Sequence, residues 1–392
     1  MRLLVSADIH LGSPIRSLAL RNSDLAERLG DASRETFRGI VDLAIDENCD
    51  VLVLSGDIFD SEQADLRIRA FLVSQLSRAA AAGIQTVLIR GNHDALLDHR
   101  QHGELGDSIH LLRRGQASVD IAGVSFHGLS FESAHEENSL LPDYPAPVAD
   151  RLNVGLMHTS LGGAVGHDPY APCSEPDLMA HGYDLWCLGH IHAPSERHAD
   201  GCLAVMPGIP QPRDFGERAG GSVTLVDLGP DGPRFERRAV ARLVFREKHL
   251  DLDACETQQE VFTLMRDTLS ALGQDGRAVA VRLIAATERF PEHALLDMAA
   301  EVLEDIDGVF IDKVRAAPPA GRLDPAIDDF VRLMREEMCR SAVRAAAEQI
   351  VRDIRAVLPA DLQDDLATTD LDDLREDALA EVHLEIRMGG GA

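Results

Sequence analysis

Short, nearly unbroken apolar runs recur through the first half of the chain: "RLLVSA" (2–7), "DVLVLS" (50–55), "IQTVLIR" (84–90), "RLNVGLM" (151–157) and "YDLWCLG" (183–189). Runs of this length without alternation describe strands buried on both faces, and hence a largely parallel sheet covered on each side. Between the first three the period becomes helical. Residues 31–48 place Phe37, Ile40, Val41, Ala44 and Ile45 on one stripe, and residues 65–82 place Leu66, Phe71, Leu72 and Leu76 on another, with Gly83 at a helix stop. Strand–helix–strand order predicts an α/β domain.

Beyond residue 200, "CLAVMPG", "GGSVTLVDL" and "RFERRAVARLVF" predict further strands that close a second sheet against the first, ending a domain over 1–245. Residues 246–318 then alternate as helix 256–272, strand 277–287, helix 292–305 and strand 308–316, a small α+β capping domain. "APPAG" (317–321) marks a linker. In the remaining segment, 319–392, the helical spacing of Ile327, Phe330, Val331 and Met334 predicts a helix over 324–357, and 361–381 read as an acidic tail.

Composition narrows the function classes. A net charge of -28 opposes nonspecific binding to nucleic acid, which depends on Lys and Arg contacts to phosphate, and aromatic residues at 4% leave few platforms for stacking bases. The 6 cysteines include no C-x-x-C pair, so they read as reduced, buried thiols. The opening apolar run is too short for a signal-peptide core and no stretch of ~18 apolar residues follows, so a cytoplasmic protein is expected.

Every one of the five apolar strands ends in a polar cluster: "ADIH" (Asp8, His10), "GDIFD" (Asp57, Asp60), "GNHD" (Asn92, His93, Asp94), "MHTS" (His158) and "GHIH" (His190, His192). Alone, the H-x-H pair reads first as two solvated loop histidines, and "GNHD" equally as a polar turn. Their company changes this, because open α/β sheets bind ligands at the carboxyl ends of their strands. Asp8 with His10, and His190 with His192, form same-face pairs in extended chain, Asp57 can bridge two ions through its two oxygens, and Asn92 with His158 complete a second set. Oxygen and nitrogen donors without thiolate suit two divalent ions, Mn²⁺ first and Fe or Zn²⁺ next. His93 is the candidate general acid, with Asp94 available to orient its ring.

"DIHLG", "GDIFD", "GNHD", "MHTS" and "GHIH", in this order and after these strands, resemble the calcineurin-type metallophosphoesterase superfamily. The resemblance implies a two-sheet sandwich flanked by helices. It assigns Asp8, His10, Asp57 and His192 to one metal, and Asp57, Asn92, His158 and His190 to the other, with His93 donating a proton. "HTSLGGAVGHDPYAPCSEPDL" (158–178), "PGIPQPRDFGE" (207–217) and "FREKHLDL" further resemble DNA-repair exonucleases of the SbcD and YhaO kind, which act with an SMC-like ATPase. Asp60 departs from the archaeal and eukaryotic pattern, which places a phosphate-holding histidine there.

A two-metal DNA exo- or endonuclease partnered by an SMC-like ATPase therefore competes with a small-molecule or cyclic-nucleotide phosphoesterase, and with a scaffold whose site has decayed. The complete ligand set opposes the last. Helix 324–357 is a candidate docking element for the ATPase, and a homodimer is left open. Rim candidates are His167, Asp168 and Tyr170. Arg213 is a DNA-side candidate, whereas His127 and His135 read as structural.

Overall fold

The computed structural model describes residues 1–15, 31–60, 66–95, 106–162, 170–199, 201–229, 232–273, 277–287 and 289–317, with scattered positions between 330 and 350. These fall into two compact units, residues 1–15 with 31–244, and residues 245 onward. Two six-stranded sheets build the first unit. One has the order β12-β11-β1-β2-β3-β4, from β1 (Arg2–Ser6), β2 (Val51–Ser55), β3 (Gln85–Ile89), β4 (Ile109–Leu111), β11 (Ser222–Gly229) and β12 (Gly232–Ala239). The other runs β5-β6-β7-β8-β10-β9, from β5 (Ser118–Ile121), β6 (Val124–Gly128), β7 (Leu152–His158), β8 (Leu185–Gly189), β9 (Ser195–Ala199) and β10 (Cys202–Met206).

The unbroken apolar runs are explained by burial on both faces. Along β1, Leu3 and Val5 point into the core between the sheets, where they meet Val51, Val53, Phe126, Val154 and Leu185. Leu4 points the other way, to Phe37, Ile40 and Val41 of α1 (Ala32–Asp46) and to Leu72 and Leu76 of α2 (Leu66–Ala81). A further apolar layer, with Phe131, Met157, Leu178, Tyr183 and Trp186, covers the outer face of the second sheet. Each such side chain contributes roughly 1.5–3 kcal/mol on burial, and a one-residue slip would exchange the two faces, so the register is fixed.

β1, β2 and β3 are parallel in matched register, Leu3 opposite Val51 and Val51 opposite Gln85, and β6, β7 and β8 are parallel in the second sheet. The carboxyl ends of each parallel set therefore share an edge. His127 is structural as expected, held by Ser118 Oγ at 2.8 Å and Asn153 Oδ1 at 3.1 Å.

One expected strand divides. "RFERRAVARLVF" breaks after β12 because Gln211 Oε1 accepts the N–H groups of Arg242 (2.9 Å) and Leu243 (3.3 Å), taking the place of a neighbouring strand. β13 (Leu243–Asp251) then carries the chain into the second unit, where the sheet order is β13-β14-β15. There α3 (Gln258–Ser270), opened by a Thr257–Glu260 capping box, precedes β14 (Ala278–Ala286). α4 (Glu292–Leu303) is the crossover to parallel β15 (Val309–Ala317). Residues 318–321 of the linker, Ile327 and Val331 of the C-terminal helix, and the acidic tail lie outside the described residues. Phe330 is helical and exposed. Among the described residues no helix is long and apolar enough to cross a membrane.

Candidate metal centre

The loops that follow β1 and β2 are zipped together by their backbones: Asp8 N–H donates to Gly56 O at 3.1 Å and His10 N–H to Asp57 O at 3.0 Å. Asp8, His10, Asp57 and His190 all adopt positive φ, at 51°, 46°, 49° and 95°. Non-glycine residues enter this region at a cost of ~1–3 kcal/mol and stay there when their surroundings over-determine them.

His158 occupies a socket made by the glycines that precede the other polar clusters. A Cβ at Gly91 would lie 2.3 Å from Asp57 Oδ1 and 2.7 Å from His158 Nε2; one at Gly189 would lie 2.1 Å from Ser55 O and 2.8 Å from His158 Nδ1. Glycine immediately before Asn92 and His190 is thus a steric requirement.

The donor atoms converge. His158 Nδ1 donates to Ser55 O at 3.0 Å, so Nε2 is the atom that faces Asn92 Oδ1 at 3.0 Å and Asp57 Oδ2 at 3.3 Å. His10 Nε2 is 3.9 Å from the same Asp57 Oδ2 and 3.3 Å from His192 Nε2. Among the described residues, Asp8–His10–His192 and Asp8–Asp57–His158 each hold their ligand atoms within 4.8 Å of one another, and His10–Asp60–His93 form a third such group. His190 stands outside these groups: its N–H donates to both Asp8 oxygens at 3.0 and 3.1 Å, and its ring lies between those of His158 and Tyr170.

The set fits divalent cations on its own chemistry. His10 Nδ1 lies 3.3 Å from an Asp60 oxygen and His192 Nδ1 donates to Glu217 Oε1 at 2.8 Å, so their Nε2 lone pairs would face each other across 3.3 Å. His158 Nε2 likewise meets two acceptor oxygens. Such an arrangement calls for positive charge between the atoms, and the imidazole–carboxylate pairings behind it are those that orient metal-bound histidine.

Burial and charge set the protonation states. Burial pushes His10 down to about 4, although Asp60 and Asp57 favour its cation. Burial also opposes the charge on His158, but Asp57 and then Asp8 outweigh it and hold this imidazole at about 9. Burial would raise Asp57, yet His158, His10 and His93 keep it far below the usual carboxylate range. Asp8 is raised, chiefly by burial.

Three expectations change. Asp57 Oδ1 is occupied by the His93 N–H at 2.9 Å, so a single oxygen, Oδ2, faces both His10 and His158. Asp94 does not orient the His93 ring: its oxygens accept Ile58 N–H (2.9 Å) and Gly91 N–H (2.7 Å), and the ring Nδ1 donates instead to Asp60 O at 2.8 Å. Burial and the Asp57 charge raise Asp94 to about 6. Arg213 is turned inward, 11% exposed, onto Glu217 and onto Asp60 Oδ1 at 3.1 Å. His93 itself is exposed, and Tyr170 lies beside His190 under the exposed ring of His135; His167 and Asp168 lie outside the described residues. Glu217 is the residue that sequence missed. It is 25 positions from His192, and a lone glutamate in a loop has no periodicity to mark it.

A two-sheet sandwich that gathers aspartate, asparagine and histidine at the carboxyl ends of its strands defines a metal-dependent phosphoester hydrolase. Residues 1–194 match the Calcineurin-like phosphoesterase family. The chain is similar to the "Uncharacterized metallophosphoesterase YhaO" of Bacillus subtilis (strain 168), 27% identical over 285 residues that cover 71% of this chain and 70% of that protein. It is also similar to the "DNA double-strand break repair protein Mre11" of Methanopyrus kandleri, 29% identical over 238 residues, 55% of this chain and half the length of that relative. Among solved structures, the protein TT1561 of Thermus thermophilus covers 61% of this chain and 98% of its own at 15% identity, with a TM-score of 0.39.

Proposed function

We propose that the first unit is a two-metal phosphodiesterase that cleaves DNA at ends, working with an SMC-like ATPase. Asp8, His10, Asp57 and His192 would hold one ion, and Asp57, Asn92, His158 and His190 the other, with Mn²⁺ favoured by a thiolate-free set of oxygen and nitrogen donors. The single observation that carries this function is Asp57 Oδ2, placed 3.9 Å from His10 and 3.3 Å from His158, between the two donor groups.

When bound, paired divalent ions supply a water of lowered pKa and neutralise charge developing on the phosphoryl oxygens. The chain supplies the proton. His93 has Nδ1–H committed to Asp60 O, so Nε2 is the atom that would protonate the leaving alkoxide. Its backbone N–H, bonded to Asp57 Oδ1, ties this proton donor to the carboxylate between the donor groups.

DNA as substrate is supported by the likeness to the archaeal double-strand break repair protein. A net charge of -28 requires that much of the basic surface come from elsewhere, which an ATPase partner would provide. Turnover of linear duplex DNA, of cyclic and mononucleotides, and of bis(p-nitrophenyl) phosphate, each with Mn²⁺ and with or without a copurified ATPase, tests this. Duplex cleavage stimulated by ATPase and ATP is expected. Efficient turnover of nucleotides with none of duplex DNA would assign the chain to small-molecule phosphoester chemistry instead.

A further inference from the structure

The two donor groups differ in what stands behind them. His158 rests its Nδ1–H on an uncharged backbone carbonyl, that of Ser55. His192 donates its Nδ1–H to Glu217, and His10 turns Nδ1 to Asp60, so both histidines of the other group are backed by carboxylates. One arginine joins those carboxylates: Arg213 Nη1 donates to Asp60 Oδ1 at 3.1 Å, while its Nε and Nη2 donate to Glu217 at 3.1 and 2.5 Å. The Arg213 N–H adds a bond to Glu217 Oε2 at 2.8 Å. Glu217 and Arg213 are both 11% exposed, so solvent screens these pairs weakly.

We infer that Glu217 is a positioning residue that acts through His192 and makes the two metal positions unequal, the Asp8–His10–His192 position being the tighter. The inference rests on the two-ion function proposed above. A carboxylate behind an imidazole fixes the tautomer that presents Nε2 and raises the basicity of that nitrogen, whereas a neutral carbonyl fixes the tautomer with less electronic effect. Two carboxylates against one guanidinium also leave a net negative charge behind this position, which favours a cation in front of it. Arg213 divides its donors between them and so holds Asp60 and Glu217 at a fixed separation, which sets the spacing of the two Nε2 atoms they orient.

The test is Mn²⁺ titration of the chelator-stripped full chain, with free Mn²⁺ read by electron paramagnetic resonance and total heat by calorimetry. Wild type is expected to bind two ions with distinct affinities. E217Q, which keeps an acceptor oxygen for His192 but removes the charge, should weaken the tighter position by about 10–100-fold and leave the other unmoved. In an H192Q background the same substitution should have no further effect, because its route to the metal is gone. Equal weakening of both positions, no change in either, or an undiminished effect in H192Q would overturn the inference. Wild type that binds fewer than two ions would instead overturn the two-ion function itself. Should E217Q fail to fold, ¹⁵N-histidine NMR of the wild-type chain loaded with Zn²⁺ decides: His192 is expected to carry a hydrogen-bonded proton on Nδ1, and a proton absent there refutes the positioning role.

Discussion

The backbone N–H of His93 donates to Oδ1 of Asp57 at 2.9 Å, so the candidate proton donor and the carboxylate between the two donor groups are fixed to each other by main chain. The side chain of His93 can therefore be removed while its main-chain bond to Asp57 Oδ1 is kept. H93A should keep its full metal content while turnover of DNA falls by about 10²–10⁴-fold. The loss should shrink for bis(p-nitrophenyl) phosphate, whose leaving group departs without a proton. Elemental analysis beside both rates checks this, and loss of metal in H93A would make the side chain a ligand.

Treatment with chelator should abolish hydrolysis, and Mn²⁺ should restore it best among divalent ions. Asp8 belongs to both donor groups, but both of its oxygens accept the His190 N–H, whereas Asp57 Oδ2 faces His10 and His158 with no backbone donor on it; D57N should therefore lose more bound metal than D8N. Equal residual occupancy in the two variants, measured by mass spectrometry of the metal, would contradict a shared ligand.

The His158 socket gives a steric prediction. G189A would drive a methyl group to 2.1 Å from Ser55 O and 2.8 Å from His158 Nδ1, displacing the bond that sets the His158 tautomer. A destabilisation of ~1–3 kcal/mol, with loss of the ion at the His158 position, is expected from overpacking of this kind. Thermal unfolding and metal content read the two effects separately.

His158 also fixes a pH dependence. Its folded-state pKa of about 9 lies above the ordinary histidine value of 6.5. Metal-free protein should therefore hold the full benefit of the His158–Asp57 pair below about pH 6.5 and lose it as pH rises through about 9. The loss should be on the order of 3 kcal/mol. Metal binding at pH 7–8 should displace this proton from Nε2, so that affinity rises with pH up to about 9. Calorimetry in buffers of different ionisation enthalpy counts the protons released.

Much of this was legible in sequence because it is local. Strands with both faces buried write themselves as unbroken apolar runs, as in β1, β2 and β8, and Asp8 and His10, or Asn92 and His93, are chain neighbours of the strand ends that deliver them. β5 and β9 were not legible: they are edge strands with polar, half-exposed sequences, SVDI and SERHA, and little to distinguish them from loops. Asp94 was read as a partner of the adjacent histidine, but a buried carboxylate satisfies backbone donors wherever the fold presents them, here Ile58 and Gly91. The Glu217–His192 bond depends on how the 207–217 loop closes over the strand ends, which no spacing encodes.

The first strand of the chain lies in the interior of its sheet, flanked by β2 and by β11, whose residues are among the last of the unit to leave the ribosome. An N-terminal fragment can thus carry Asp8, His10, Asp57 and His93 long before Leu225 arrives to pair with Leu4. Sequence-distant pairing of this kind is slow and comes late. A nascent chain that stalls before residue 222 therefore lacks the β11 neighbour of β1, the strand that delivers Asp8 and His10 to the site.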